Sequence, residues 1–304
     1  MRVVLLGMVG PYAGPALTAL LAAGAEVVGV AVPAPPGAPP VAAAPRLAAP
    51  AGQIALGPRR APTHLELAAA RGVPTLALRR MAAPEVREAL ATLRPDLVVV
   101  ACWSWRLPRE LLAVPRLGAL NLHPSPLPEL RGPEPLFWAF QEGRARTAVT
   151  LHWMDEGLDT GEIALQRPLD LPAGLGWDEA EAMAAALGAE LLGEAVPLLS
   201  AGALPRRPQG PGGSFRAAPR PADFAIDVAW PAERAFRFMR GTAAWGRSYT
   251  VALPGATLRL GTALSYEPAG TLAGPYEQTG GLARVRMAPG VLVATVAGPA
   301  SPRP

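Results

Sequence analysis

Short apolar runs alternate with helix-like stretches through the first two hundred residues, and this alternation limits the fold more than any other feature of the chain. Val3 to Leu6, Val27 to Val32, Leu97 to Ala101 and Ala119 to Leu122 are near-continuous apolar runs closed by Gly, Pro or a polar residue. That is the pattern of strands buried on both faces. Thr75 to Leu78 and Val149 to Trp153 add two further strands. Pro15 to Ala23, His64 to Arg71, Pro84 to Leu93, Leu107 to Ala113 and Trp177 to Leu199 have helical composition, the third with Pro in its first turn. Strands separated by helices need crossover connections. The reading is therefore an α/β fold, a doubly wound, mostly parallel, Rossmann-like sheet with functional groups at the carboxyl ends of its strands.

Two stretches resist this pattern. Pro33 to Arg60, dense in Pro and Ala, reads as a long loop with little capacity to pair in a sheet. The segment ALPRRPQGPGGSFRAAPRPA can neither continue a helix nor enter a sheet centre, so it reads as a linker. The expected organisation is a catalytic domain over 1–204, a linker over 205–222 and a small OB-like β-barrel domain over 223–304. In the last, a helix from Pro231 to Arg240 precedes short strands at Tyr249 to Leu253, Thr257 to Leu260, Ala283 to Met287 and Val291 to Val296. Trp230, Phe236, Phe238, Trp245 and Tyr249 are expected to pack as its core.

Composition removes several classes. The single cysteine, Cys102, excludes an internal disulfide and a multi-cysteine zinc site. All 28 cations are arginine, which excludes Schiff-base lysine chemistry and a phosphate-loop lysine. Apolar runs are interrupted by Gly or Pro before the ~18 residues at which a membrane span becomes plausible. No span is expected. The opening MRVVLLGMVG lacks a basic lead and cleavage site, so the expected location is the cytoplasm, as a monomer. Charge is uneven: residues 1–204 hold 16 Arg against 19 acids, and residues 205–304 hold 12 Arg against 5 acids. A basic appendage beside a mildly acidic body fits a polyanionic partner.

Gly7, Gly10 and Gly14 lie between a strand and a helix, but their spacing is wrong for a dinucleotide loop. The sharper signal is ALNLHPSPLPELRG. Period two places Asn121 and His123 on one side of a strand that stops at Pro124, and Pro124, Pro126 and Pro128 stiffen the loop beyond it. The strand VTLHW then runs into MDEGLDTGEI, where Asp159 lies in a Gly-flanked turn and Asp155 and Glu156 compete as the functional carboxylate. A carboxamide can donate to a carbonyl oxygen, an imidazole can stabilise a growing oxyanion, and a carboxylate can set the imidazole's charge state or take a proton through water. This is an acyl-transfer set without a nucleophilic Ser or Cys beside a base. It implies attack by the substrate's own nucleophile. No metal is expected: His64 and His152 lack a carboxylate at ligand spacing, His64 being expected exposed or capping and His152 packed near the site.

NLHPSPLPELRG followed by TAVTLHWMDEGLDTGEI resembles the signature of the formyltransferases that use 10-formyltetrahydrofolate. The resemblance extends from MRVVLLG through DLVVVACWSWRLPRELL to about residue 200, and IDVAWPAERAFRFMRGTAAWGRSYT is similar to the start of a C-terminal domain found in tRNA-directed members. It implies a catalytic trio at Asn121, His123 and Asp159. It also implies a folate cleft between Cys102, Trp103, Ser104, Trp105, Arg106 and Leu107 on one loop and Met154, Asp155, Glu156, Gly157 and Leu158 on another. Gly10, Ser125, Arg131 and Arg46 are the candidate substrate contacts. The implied reaction passes a formyl group from 10-formyltetrahydrofolate to a primary amine, first the α-amino group of methionyl-tRNA. Two departures count against tRNA: HPSPLP replaces the HGSLLP usual in tRNA-directed members, and Pro33 to Arg60 offers only Arg46, Arg59 and Arg60 as a grip. The alternatives are an amino-sugar nucleotide or other small amine as acceptor, and a folate- or tRNA-binding protein with little catalysis.

Overall fold

The computed structural model describes residues 1–44 and 62–298. Two units divide the chain: Met1–Arg131, Ala148–Pro168 and Ala182–Ser214 form the first, and Gly132–Thr147, Leu169–Glu181 and Phe215–Pro304 the second. The stretch read as a linker thus gives 205–214 to the first unit and 215–222 to the second.

In chain order the first part of the sequence forms β1 (Arg2–Gly7), α1 (Ala13–Ala22), β2 (Glu26–Pro33), β3 (Val41–Ala43), α2 (His64–Ala69), β4 (Thr75–Leu78), α3 (Pro84–Thr92) and β5 (Leu97–Ala101). Beyond these come α4 (Arg109–Leu112), β6 (Ala119–His123), α5 (Pro135–Gln141), β7 (Arg146–Trp153), β8 (Ile163–Asp170) and α6 (Trp177–Ser200). The eight strands are ordered β3-β4-β2-β1-β5-β6-β7-β8. Pairs β4–β2, β2–β1, β1–β5 and β5–β6 are parallel, as the alternation requires. Every residue of β5 is buried, and Val4, Leu6, Val98 and Val100 share a core cluster with Val86 and Leu90 of α3 and Leu111 of α4. Alternate residues of one strand therefore serve one face, and helices cover it.

Two expectations need correction. The Pro/Ala-rich stretch does pair: Val41–Ala43 lies antiparallel to β4, on the outer edge where Pro-rich neighbours cost least. His64 is neither exposed nor the cap; it is buried in the first turn of α2, where the Thr63 hydroxyl and the Glu66 carboxylate form a reciprocal capping box. Helix α6 runs on through Gly188, Gly193 and Pro197. It is long and apolar enough, by length and composition, to cross a membrane. Gly188 is accommodated because Leu122 of β6 fills its place, a Cβ there lying 3.1 Å from the leucine Cδ1. With Ala184, Ala185, Leu191, Leu192 and Ala195 buried, α6 packs as a core helix.

The second unit contains β9 (Ala225–Ile226), α7 (Ala232–Gly241), β10 (Tyr249–Leu253), β11 (Ala256–Glu267), β12 (Tyr276–Thr279), β13 (Leu282–Arg286) and β14 (Val291–Val296). These strands form a sheet ordered β12-β13-β14-β11-β10-β9. Among the described residues no pairing joins β12 to β9, so the sheet has two ends and the barrel closure expected from the sequence is not seen. Phe224, Phe238 and Tyr249 are buried in mutual ring contact, with Phe137 and Trp245 completing the cluster. The rings are thus used for packing.

Candidate active site

Strand β6 delivers Asn121 and His123 to one side of the sheet, and its neighbour β7 runs antiparallel to it with Asn121 opposite His152 and His123 opposite Thr150. The register adds a second imidazole to the pair read from the sequence. Past β7 the chain turns through Asp155, whose Oδ1 accepts from the Gly157 N–H (3.0 Å) and the Thr160 hydroxyl (2.7 Å). Asp155 is thereby committed to the turn. Glu156 is exposed, 3.6 Å from the Arg109 guanidinium. Asp159 is the carboxylate that faces the histidines.

One oxygen gathers the group. Asp159 Oδ1 lies 3.4 Å from Asn121 Nδ2, 3.5 Å from His152 Nε2 and 3.8 Å from His123 Nδ1. The acid and both rings are largely shielded, the Asp159 side chain being 14% exposed against 7% for His123 and 2% for His152. Backbone carbonyls fix both rings: His123 Nε2 donates to Leu130 O at 2.9 Å, and His152 Nδ1 donates to Trp153 O at 2.8 Å. A carbonyl can only accept, so neutral His123 keeps a bare Nδ1 toward Asp159 and neutral His152 keeps a bare Nε2, which accepts from Asn121 Nδ2 at 3.1 Å. Burial, the largest influence, lowers the His123 pKa below 6.5 despite the opposing pull of Asp159 and Leu130. The imidazole is neutral at pH 7.

The carboxylate is held in place from outside the strands. Asp159 has φ of 55°, a left-handed conformation that costs a side-chain-bearing residue about 1–2 kcal/mol. Gln209 Nε2 donates to both Asp159 O and Gly161 O at 2.8 Å, while Gln209 Oε1 accepts from Arg131 Nε (3.0 Å) and Nη2 (2.6 Å). Gly161 is required where it stands, since a Cβ there would lie 1.8 Å from Trp153 O. Thr150 donates to Ser125 O (2.6 Å), and Gln166 donates to Leu127 O (3.0 Å) and to the Thr150 hydroxyl (2.8 Å), anchoring the proline-rich loop after β6.

Of the other residues singled out from the sequence, Cys102 is exposed with φ of 62°, and its carbonyl accepts from Met8 N at 2.8 Å. The Ser104 hydroxyl points at Met8 Sδ (3.2 Å), Trp103 meets Trp105 edge to face at 5.8 Å, and Leu107 is buried. Trp105 and Arg106 line a cavity of about 550 Å³ with Ala34, Pro36, Arg79, Arg80 and Met81. Met154, Asp155, Glu156 and Gly157 line another of about 530 Å³ with Arg109, Leu112 and Ala113. The Arg106 guanidinium joins the two loops by donating to the Glu156 carbonyl, and Leu158 is exposed beside them. Gly10 is exposed, Ser125 is buried with its hydroxyl on Glu129 O (2.8 Å), Arg131 is spent on Gln209, and Arg46 lies outside the described residues.

A doubly wound sheet that brings together a carboxamide and two imidazoles on adjoining strands and a carboxylate on the turn beyond them has the make-up of an α/β group-transfer enzyme. Residues 41–196 match the family described as formyl transferase. Methionyl-tRNA formyltransferase of Symbiobacterium thermophilum is 37% identical over 240 residues, 79% of this chain and 69% of that protein. The chain belongs to the formyl transferase family. Its fold is shared with methionyl-tRNA formyltransferase from Clostridium thermocellum (TM-score 0.55, 15% identity, 87% of this chain and 93% of that one). It is shared too with an N-formyltransferase from Helicobacter canadensis, solved with folinic acid and dTDP-3-aminofucose (TM-score 0.63, 12% identity, 97% and 99%).

Proposed function

We propose that this enzyme transfers the formyl group of 10-formyltetrahydrofolate to the α-amino group of methionyl-tRNA in the cytoplasm, with Asn121, His123 and Asp159 as its catalytic residues. The observation that carries the reading is the single Asp159 oxygen within 3.8 Å of Asn121 and His123, in a chain related over most of its length to methionyl-tRNA formyltransferases. The loops Cys102 to Leu107 and Met154 to Leu158, with a cavity of about 530 Å³ beside the second, supply room for a folate. The excess of arginine in residues 205–304 suits an RNA acceptor.

The geometry supports a direct displacement. An α-amino group titrates near 7.7–8.0, so a useful neutral fraction exists at pH 7. Its nitrogen attacks the formyl carbon and forms the new C–N bond as the carbonyl electrons move to oxygen. Asn121 stabilises that oxyanion with the N–H now directed at Asp159 across 3.4 Å, the longer of these two contacts and the one a substrate oxygen can replace. Neutral His123 takes the ammonium proton on Nδ1, its new charge held by Asp159, and returns it to the departing folate nitrogen as the old C–N bond breaks. No acyl-enzyme forms.

Transfer of labelled formyl from 10-formyltetrahydrofolate to charged initiator tRNA tests this. The expected result is turnover that weakens steeply with salt, about 0.7–0.9 log units of affinity per log unit of salt for each phosphate neutralised. Pro124 favours a second reading with the same chemistry and a small amine acceptor. Salt-insensitive formylation of an amino-sugar nucleotide, with no transfer to charged tRNA, would establish that reading instead.

A further inference from the structure

Asn121 can stabilise an oxyanion only if its amide presents N–H to the substrate, and nothing in a carboxamide itself prevents the half-turn that would present the oxygen. The two faces are nearly the same shape and opposite in hydrogen-bonding sense. We infer that His152 is a positioning residue that sets this orientation. The inference rests on the proposed function for its kinetic consequence.

A chain of hydrogen bonds fixes the amide, beginning at the backbone. Trp153 O, 2.8 Å from His152 Nδ1, requires a proton on Nδ1. In the neutral ring Nε2 is then a pure acceptor, and Asn121 Nδ2 lies 3.1 Å from it. One amide N–H is thereby tied to the ring, and the other points to Asp159 Oδ1 at 3.4 Å, toward the reacting group. Turning the amide over would set its oxygen against both a bare nitrogen and a carboxylate, two acceptor–acceptor contacts in a site where His152 is 2% exposed. Once a substrate oxygen takes the place of Asp159 on the second N–H, the contact to His152 is the one that still holds the amide. The cross-strand register that places His152 opposite Asn121 makes the arrangement part of the sheet.

His152→Gln can retain an acceptor near the Nε2 position, whereas His152→Asn retains a donor for Trp153 O and loses that acceptor. If the ring acts through the amide, the Asn variant loses kcat roughly 10²-fold, approaching the loss for an oxyanion donor. KM for the formyl donor stays unchanged, and the Gln variant retains most of the rate. In an Asn121→Ala background the His152→Asn change then has little further effect, the non-additivity of one unit. Rescue by Asn and not Gln, or the same fold loss with and without Asn121, would overturn the inference. Nitrogen-15 NMR of the neutral wild-type ring gives a readout independent of turnover: a protonated Nδ1 and bare Nε2 are expected, and the opposite tautomer refutes the assignment whatever the enzyme formylates. A wild-type chain with that tautomer but no formyl transfer would instead refute the proposed function.

Discussion

Gln209→Ala tests whether the Asp159 carboxylate is presented by its own loop or by a support fifty residues away. The side chain makes four contacts: Nε2 donates to Asp159 O and Gly161 O, both at 2.8 Å, and Oε1 accepts from Arg131 at 3.0 and 2.6 Å. A neutral hydrogen bond contributes a net ~0.5–1.5 kcal/mol, so the two donations together restrain the Asp159 turn by about 1–3 kcal/mol. Opposing them is the left-handed conformation of Asp159, at about 1–2 kcal/mol. The two quantities are of similar size. Without the clamp the restraint falls to that of the Asp155 turn, and relaxed conformers compete with the productive one. A loss of about 2 kcal/mol in favour of the productive conformer corresponds to roughly thirtyfold in its population.

The expected result is therefore a fall in kcat on the order of 10–100-fold, measured by single-turnover formyl transfer, with a reduction in thermal stability from the unpaired Arg131. Gln209→Glu should be at least as slow at pH 7: it keeps an acceptor for Arg131 but turns a carboxylate toward two carbonyl oxygens. A kcat for Gln209→Ala within twofold of wild type would show that the turn holds Asp159 unaided, and the reasoning would fail.

Asn121→Ala should lower kcat by about 10²–10³ with little change in KM for the formyl donor, as steady-state kinetics can establish. His123 and His64 are both buried with pKa lowered by desolvation, so below pH ~6.5 the unfolded chain binds more protons than the folded one. Stability should be fully present above that pH and decline as pH falls through it; thermal melts between pH 5 and 8 check the sign. His64→Leu should flatten this slope without reducing turnover at pH 7.5, and an unchanged slope would show that His64 is not among the titrating groups. Gly161→Ala should abolish turnover, since its Cβ would overlap Trp153 O.

Where burial alone decides structure, the chain is legible. Thr75–Leu78, Leu97–Ala101, Tyr249–Leu253 and Val291–Val296 occupy the residues that apolar runs and turn signals indicate. Ile163–Asp170 does not announce itself, because Gln166, Arg167 and Pro168 break the apolar pattern of a strand that is only partly buried. Val41–Ala43 is hidden by its Pro-rich surroundings, and Pro135–Gln141 by a run of aromatics without polar punctuation. Period two reveals Asn121 and His123. It cannot reveal how closely His152 engages Asn121, because alternating strands and helices suggest parallel neighbours and only the antiparallel β6–β7 register sets the two opposite each other. Gln209 gives no signal at all: the atoms its amide nitrogen holds are backbone carbonyls, which carry no residue identity.

Backbone strain marks the same site by a route that residue type does not. Side-chain-bearing residues with positive φ include Arg80, Cys102, Leu130 and Asp159. Arg80 and Cys102 stand just past the ends of β4 and β5, Leu130 lies on the loop beyond β6, and Asp159 lies past β7, so all four fall beyond the carboxyl ends of strands. Two of them are bonded into the Asn121–His123–Asp159 cluster through their backbones: Leu130 O takes the His123 Nε2–H, and Asp159 O takes Gln209. Arg94 and Glu134 differ, because they flank helices: Arg94 lies just past the C-terminus of α3, where a left-handed residue is an ordinary helix stop, and Glu134 immediately precedes α5. A left-handed Leu or Asp persists only where its surroundings over-determine it. At Leu130 the His123 ring on one side and the Ser214 hydroxyl, which accepts from its N–H at 2.9 Å, on the other do so. The carbonyl that fixes the His123 tautomer is thus itself fixed by a bond from the stretch that also carries Gln209. This Pro- and Gly-rich segment, which by composition reads as connection, is therefore placed to hold both the imidazole and the carboxylate in register.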